Sequence, residues 1–215
     1  MSVLEQVKKH KIITILRGIP HSKAADTAEA LYNGGIRLLE ITFDQQSGTR
    51  LRDTAEAISR AKERMGSKML IGAGTVLTVE EAKAAFDAGA EFLLSPNTDE
   101  EVIRYGKELG MGVIPGAFTP SEIQSAHRFG ADLVKVFPAG NLGVGYLRAV
   151  KAPLSHIPMI AVGGIDENNM AEFLEAAEGV GIGANIADKR LIAEGRFSEL
   201  TELAEGYTGL LKKRG

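Results

Sequence analysis

The chain has 215 residues, 44% of them hydrophobic, 25% charged and 6% aromatic, which suits one large domain or at most two small ones. A formal net charge of −3 provides no basic field for nucleic acid or an anionic membrane. The absence of cysteine excludes disulfides, thiolate metal ligands and a cysteine nucleophile. The opening MSVLEQVKKHKIITILRG carries too short an apolar run for a signal peptide, and no stretch reaches membrane-spanning length. A soluble, cytoplasmic protein with no nucleic-acid or membrane partner is expected.

Eight short apolar runs follow in chain order: IITILRG (12–18), LLEITF (38–43), MLIGAGT (69–75), FLLSP (92–96), GVIPGA (112–117), LVKVFPA (133–139), MIAVGGI (159–165) and GVGIGANI (179–186). They start roughly 20–30 residues apart, the room a strand–helix unit needs. Helix signals fill the gaps. Thr119-Pro120-Ser121-Glu122 combines a cap, a first-turn proline and an acid, and Thr78-Val79-Glu80-Glu81 has capping-box spacing. Asn33-Gly34-Gly35, Ala88-Gly89-Ala90 and Phe129-Gly130-Ala131 read as left-handed helix ends. No linker or low-complexity segment divides the chain. Eight alternating units therefore predict a single (β/α)8 barrel of the TIM type over residues 1–215. An open doubly wound sheet has the same periodicity, but even spacing and the lack of a nucleotide fingerprint favour the barrel.

In such a barrel, catalytic groups sit at the C-terminal ends of the strands. Alternation puts Leu133, Lys135 and Phe137 on one face, with Val134 and Val136 on the other. An inward lysine has a lowered pKa and spends time as the free amine that forms imines with ketones; the alternative is an edge lysine snorkelling to solvent. Glu40 shares a face with Leu38 and Thr42. It is either a structural partner of Lys135 or Arg17, or a general base with a raised pKa. Arg17 and Thr75 end the first and third runs and suit a carboxylate, with a surface arginine as the plain alternative. Gly163-Gly164 and the Gly181-Ile182-Gly183 triplet follow the last two runs, where backbone amides can approach an anion. His10, His21, His127 and His156 form no ligand pair, and no GxSxG elbow is present.

Taken in order, LLEIT, GAGTV, SP, IPGAFTPSE, LVKVFPA and the late GG resemble the KDPG/KHG aldolase family along almost the whole chain. The resemblance implies a barrel assembled as a homotrimer, working without metal or other cofactor on a small 2-oxo acid. It implies that Lys135 forms an imine, that Glu40 moves protons, and that Thr75 and Arg17 contact the pyruvate carboxylate. Pro96 and Phe137 would line the pyruvate pocket, with Pro115-Gly116 and Thr119-Pro120 shaping its wall. Gly163, Gly164 and Gly183 would meet a distal phosphate. The implied reaction releases pyruvate from 2-dehydro-3-deoxy-6-phosphogluconate or a related acid, or alternatively from 4-hydroxy-2-oxoglutarate. A phosphate-binding barrel isomerase and a non-catalytic barrel are the rival classes. Three positions depart from relatives. Phe43-Asp44-Gln45-Gln46 replaces a segment that carries arginine in some of them, while Val162 and Ala184 stand where hydroxyls are common. These last two changes are expected to weaken discrimination for phosphate.

Overall fold

The computed structural model describes residues 2–212. Nine parallel strand segments form one sheet: β1 (Ile12–Leu16), β2 (Leu38–Thr42), β3 (Leu70–Gly74), β4 (Phe92–Leu94), β5 (Gly112–Ile114), β6 (Gly116–Ala117), β7 (Val134–Val136), β8 (Met159–Val162) and β9 (Gly179–Ile182). Helices lie between them: α1 (Val3–His10), α2 (Ala24–Asn33), α3 (Arg50–Met65), α4 (Val79–Asp87), α5 (Glu100–Glu108), α6 (Pro120–Arg128), α7 (Ala139–Lys151), α8 (Met170–Ala176), α9 (Lys189–Glu194) and α10 (Phe197–Lys212).

The sheet runs β5-β4-β3-β2-β1-β9-β8-β7-β6, so its two ends belong to neighbouring parts of the chain. This corrects the expected count of eight strands. The fifth apolar run is divided at Pro115: β5 pairs with β4, whereas β6 pairs with β7. Proline has no N–H to contribute to a ladder. Its carbonyl still accepts from Lys135 N at 2.8 Å, and Gly116 N turns to Asn97 O at 3.2 Å. Gly116 is required there, because a Cβ would lie 2.8 Å from Ser95 O and nearer still to the Pro96 carbonyl. The barrel is nearly closed, with the kinked fifth run as its seam.

Two apolar layers follow from strand alternation. Val134, Val136, Ile12, Leu16, Leu39 and Ile41 pack outward with the helices, while Ile13, Ile15, Leu38, Phe92, Leu133 and Ile160 fill the barrel. The apolar runs did not reveal α1, whose Val3 and Val7 join the inner layer. A Cβ on Gly112 or Gly179 would lie 2.6–2.7 Å from these valines, so two strand-opening glycines make room for the helix. α1 thereby covers the end of the barrel opposite the strand C-termini. The expected helix ends are present: Gly35, Gly89 and Gly130 have φ of +93°, +92° and +107°. Thr119 and Glu122 form a complete capping box. At Thr78 the box is only half made, since its side chain accepts from Glu81 N while Glu81 bonds elsewhere. Among the described residues, no helix is long and apolar enough to cross a membrane.

Candidate active site

A cavity of about 440 Å³ opens at the C-terminal ends of β1, β7, β8 and β9. Arg17, Lys135, Phe137, Gly163, Gly164 and Gly183 line it, six of the nine residues singled out from sequence. Lys135 rises from the middle of β7 and is 4% exposed. Its Nζ lies 5.0 Å from the centre of the Phe137 ring, within cation–π range. Phe137 is itself 37% exposed and packs over Gly163, where a Cβ would lie 2.9 Å from the ring.

Glu40, in the middle of β2, is fully buried, and among the described residues neither of its carboxylate oxygens has a hydrogen-bond partner. Gly74 on neighbouring β3 faces it so closely that a Cβ there would lie 2.5 Å from Glu40 Cγ and closer to the carboxyl group. Burial raises the Glu40 pKa, with the charges of Lys135 and Arg17 opposing that shift. Burial lowers the Lys135 pKa; Glu40 opposes this and Arg17 adds to it. For both groups desolvation outweighs mutual attraction. The two therefore do not behave as a hydrogen-bonded ion pair fixed in its charged form. Each is driven toward its neutral state, which gives an amine able to attack and a carboxyl able to exchange a proton.

Glu40, Thr75 and Pro96 do not line this cavity, and Glu40 lies buried in the barrel interior. Thr75 directly follows Gly74 and has φ +56°, a left-handed conformation that costs a β-branched residue about 1–2 kcal/mol. Backbone strain of this kind persists only where surrounding contacts hold it. Pro96 stands at the seam, its backbone against Gly116. Arg17 is exposed at the end of β1, and no hydrogen bond or ion pair among the described residues engages its guanidinium.

The glycine turn after β8 has φ of +89° at Gly163 and +71° at Gly164. Their carbonyls are tied back, Gly163 O accepting from Gly140 N at 2.7 Å and Gly164 O from Asn169 Nδ2 at 2.8 Å. Their acceptors are thus occupied, while among the described residues their N–H groups have no backbone partner. Val162 and Ala184 both line the cavity, so the two absent hydroxyls are absent from its wall. Lys189, which the sequence reading did not select, also lines it. Its Nζ sits 3.1 Å from where a Gly18 Cβ would be, beside Arg17, and Gly18 has φ +63°. Neighbouring Asp188 caps α9, its Oδ1 accepting from Arg190 N and Leu191 N at 2.7 and 3.1 Å, and no ion pair joins it to Lys189 among the described residues. Among the described residues the lining thus carries Arg17, Lys135 and Lys189 and no acidic side chain.

The chain is 34% identical over 207 residues, 95% of each chain, to 2-dehydro-3-deoxy-phosphogluconate aldolase of Treponema pallidum. It is 35% identical over 180 residues to 2-dehydro-3-deoxy-6-phosphogalactonate aldolase of Escherichia coli, covering 83% of this chain and 85% of the relative. A crystal structure of KDPG aldolase from Legionella pneumophila, with pyruvate captured at low pH as a covalent carbinolamine intermediate, superposes with a TM-score of 0.84. It is 28% identical and covers 95% of this chain and 97% of that one. The family model described as KDPG and KHG aldolase matches residues 3–203. Barrel, buried lysine and nearly full-length similarity agree, and the chain belongs to the KDPG and KHG aldolase family.

Proposed function

We propose that this chain is a Schiff-base aldolase that cleaves 2-dehydro-3-deoxy-6-phosphogluconate to pyruvate and glyceraldehyde 3-phosphate, with Lys135 as the imine-forming residue. The observation that carries the reading is the pairing of a buried, pKa-lowered lysine at the cavity floor with a buried, pKa-raised glutamate. The Legionella pneumophila relative, captured with pyruvate as a covalent carbinolamine, supports the same chemistry.

In this mechanism the free amine of Lys135 adds to the C2 carbonyl, and neutral Glu40 gives its proton to the departing hydroxyl, so that loss of water leaves a protonated imine and a Glu40 carboxylate. Glu40 takes the C4 hydroxyl proton, the C3–C4 bonding electrons flow into the imine, and the aldehyde departs. The resulting enamine accepts a proton at C3, and hydrolysis frees pyruvate and the lysine. The protonated imine is the electron sink, so no metal or cofactor is called for. Arg17 and Thr75 hold the carboxylate of the 2-oxo acid, and Pro96 and Phe137 bound the pyruvate end. The amides of Gly163, Gly164 and Gly183 meet the distal phosphate, and Lys189 adds a positive charge there. The enzyme works as a cytoplasmic homotrimer on a small-molecule substrate.

Cleavage of 4-hydroxy-2-oxoglutarate to pyruvate and glyoxylate is the second reading. It is favoured by the loss of two hydroxyls at Val162 and Ala184 and by 30% identity to the KHG/KDPG aldolase of Escherichia coli. Pyruvate release from a panel separates the readings. The panel holds the 6-phosphorylated gluconate and galactonate epimers, their unphosphorylated forms and 4-hydroxy-2-oxoglutarate. The highest kcat/KM is expected for a phosphorylated six-carbon acid. Highest kcat/KM on 4-hydroxy-2-oxoglutarate favours the second reading, and release from none of them rejects both.

A further inference from the structure

Glu81 is the other fully buried glutamate in the barrel, and the aldol chemistry does not use it. It lies in the first turn of α4, yet its carboxylate does not close the capping box on its own helix. One oxygen accepts from Gln45 Nε2 and Arg50 Nε, both at 2.9 Å, and the other from Leu77 N at 2.7 Å. Gln45 Nε2 also donates to Thr75 O at 3.0 Å. The amide group of Gln45 thus spends its donors on Glu81 and Thr75. Turned the other way, it would aim its carbonyl at two acceptors.

These bonds converge on the strained segment beside Glu40. Thr75 O is held by Gln45, Val76 N donates to Leu94 O at 3.1 Å, and Leu77 N donates to Glu81. On the preceding side, Phe43 N donates to Gly74 O at 2.9 Å. A β-branched residue at φ +56° needs such restraint. We propose that Glu81 and Gln45 are positioning residues that hold Thr75 in the left-handed conformation in which it meets the carboxylate of the 2-oxo acid. The proposal rests on the reading of Thr75 as a carboxylate contact. It assigns the loop after β2 the task of orienting the end of β3.

The test is the pyruvate concentration that half-saturates borohydride trapping, measured for Gln45→Ala, Thr75→Ala and the double variant. Gln45 is exposed, so its truncation leaves the core intact. Gln45→Ala is expected to raise that concentration about five- to tenfold, the scale of one lost hydrogen bond. The trapping rate at saturating pyruvate and the melting temperature should stay at their wild-type values. In the Thr75→Ala background, Gln45→Ala is expected to have no further effect, because it acts through the missing group. Glu81→Gln, which keeps the side-chain volume, is expected to shift the concentration in the same direction. An unchanged value in Thr75→Ala overturns the carboxylate assignment and the proposal with it. A raised value in Thr75→Ala, with no effect of Gln45→Ala or with multiplying effects in the double variant, overturns the positioning role alone.

Discussion

Gly74→Ala separates the position of Glu40 from its mere presence. A methyl on Gly74 would start 2.5 Å from Glu40 Cγ and closer to the carboxyl group. Carbon atoms rest about 3.5–4.0 Å apart, so the glutamate head has to retreat by roughly 1 Å or more. A displacement of about 1 Å in a catalytic group costs on the order of 10²-fold in rate. Overpacking itself costs about 1–3 kcal/mol of stability. Cleavage of the phosphorylated 2-oxo acid should fall on that scale, while pyruvate still becomes trapped on Lys135 under borohydride. Gly72→Ala is the matched control one layer down β3: its methyl would lie 2.5 Å from Phe92 Cδ2 and strike core rather than Glu40. It should destabilise comparably without the selective loss of cleavage. In a Glu40→Ala background the Gly74→Ala change should cost no further activity, since the collision is gone. Wild-type cleavage by Gly74→Ala, or equal loss in the Gly72 control, refutes the idea that Glu40 must sit where β3 leaves room for it.

Glu40→Gln keeps the shape and removes the base; it should still trap pyruvate yet lose about 10²–10⁴-fold in cleavage, and unchanged cleavage makes Glu40 structural. Lys189→Met should lower the ratio of kcat/KM for phosphorylated over unphosphorylated substrate about tenfold, as for one hydrogen bond to a charged group. Val162→Thr/Ala184→Ser should raise that ratio, and a wild-type ratio in Lys189→Met removes Lys189 from the distal anion. The pH dependence of trapping should show a midpoint below the ordinary lysine range, because burial lowers the Lys135 pKa. Arg17→Gln removes a charge that disfavours the ammonium and should move that midpoint to higher pH; Glu40→Gln removes one that favours it and should move it lower. Shifts of the opposite sign contradict the electrostatics.

Period-two alternation sufficed to aim Lys135 and Glu40 at the same interior, because each lies within a short apolar strand whose odd and even faces differ. Glycine helix ends at Gly35, Gly89 and Gly130 were equally legible, since left-handed φ is a local demand. What escaped depends on which distant loops meet. Lys189 enters the cavity only because β9 closes against β1 and sets it beside Gly18. The α1 helix is short, and its seat is two glycines far along the chain. Glu81 carries capping-box spacing, so its sequence context points to its own helix, whereas its bonds reach the loop after β2. Pro115 sat inside an otherwise unbroken apolar run, and its missing N–H decided the strand count.

The central claim is that Lys135 carries the covalent intermediate. Incubation with pyruvate and borohydride, followed by peptide mapping by mass spectrometry, tests it directly. The account predicts a single reduced pyruvate adduct on Lys135, absent from a folded Lys135→Ala variant that has also lost aldol cleavage. A label on another lysine, or wild-type turnover by Lys135→Ala, contradicts it.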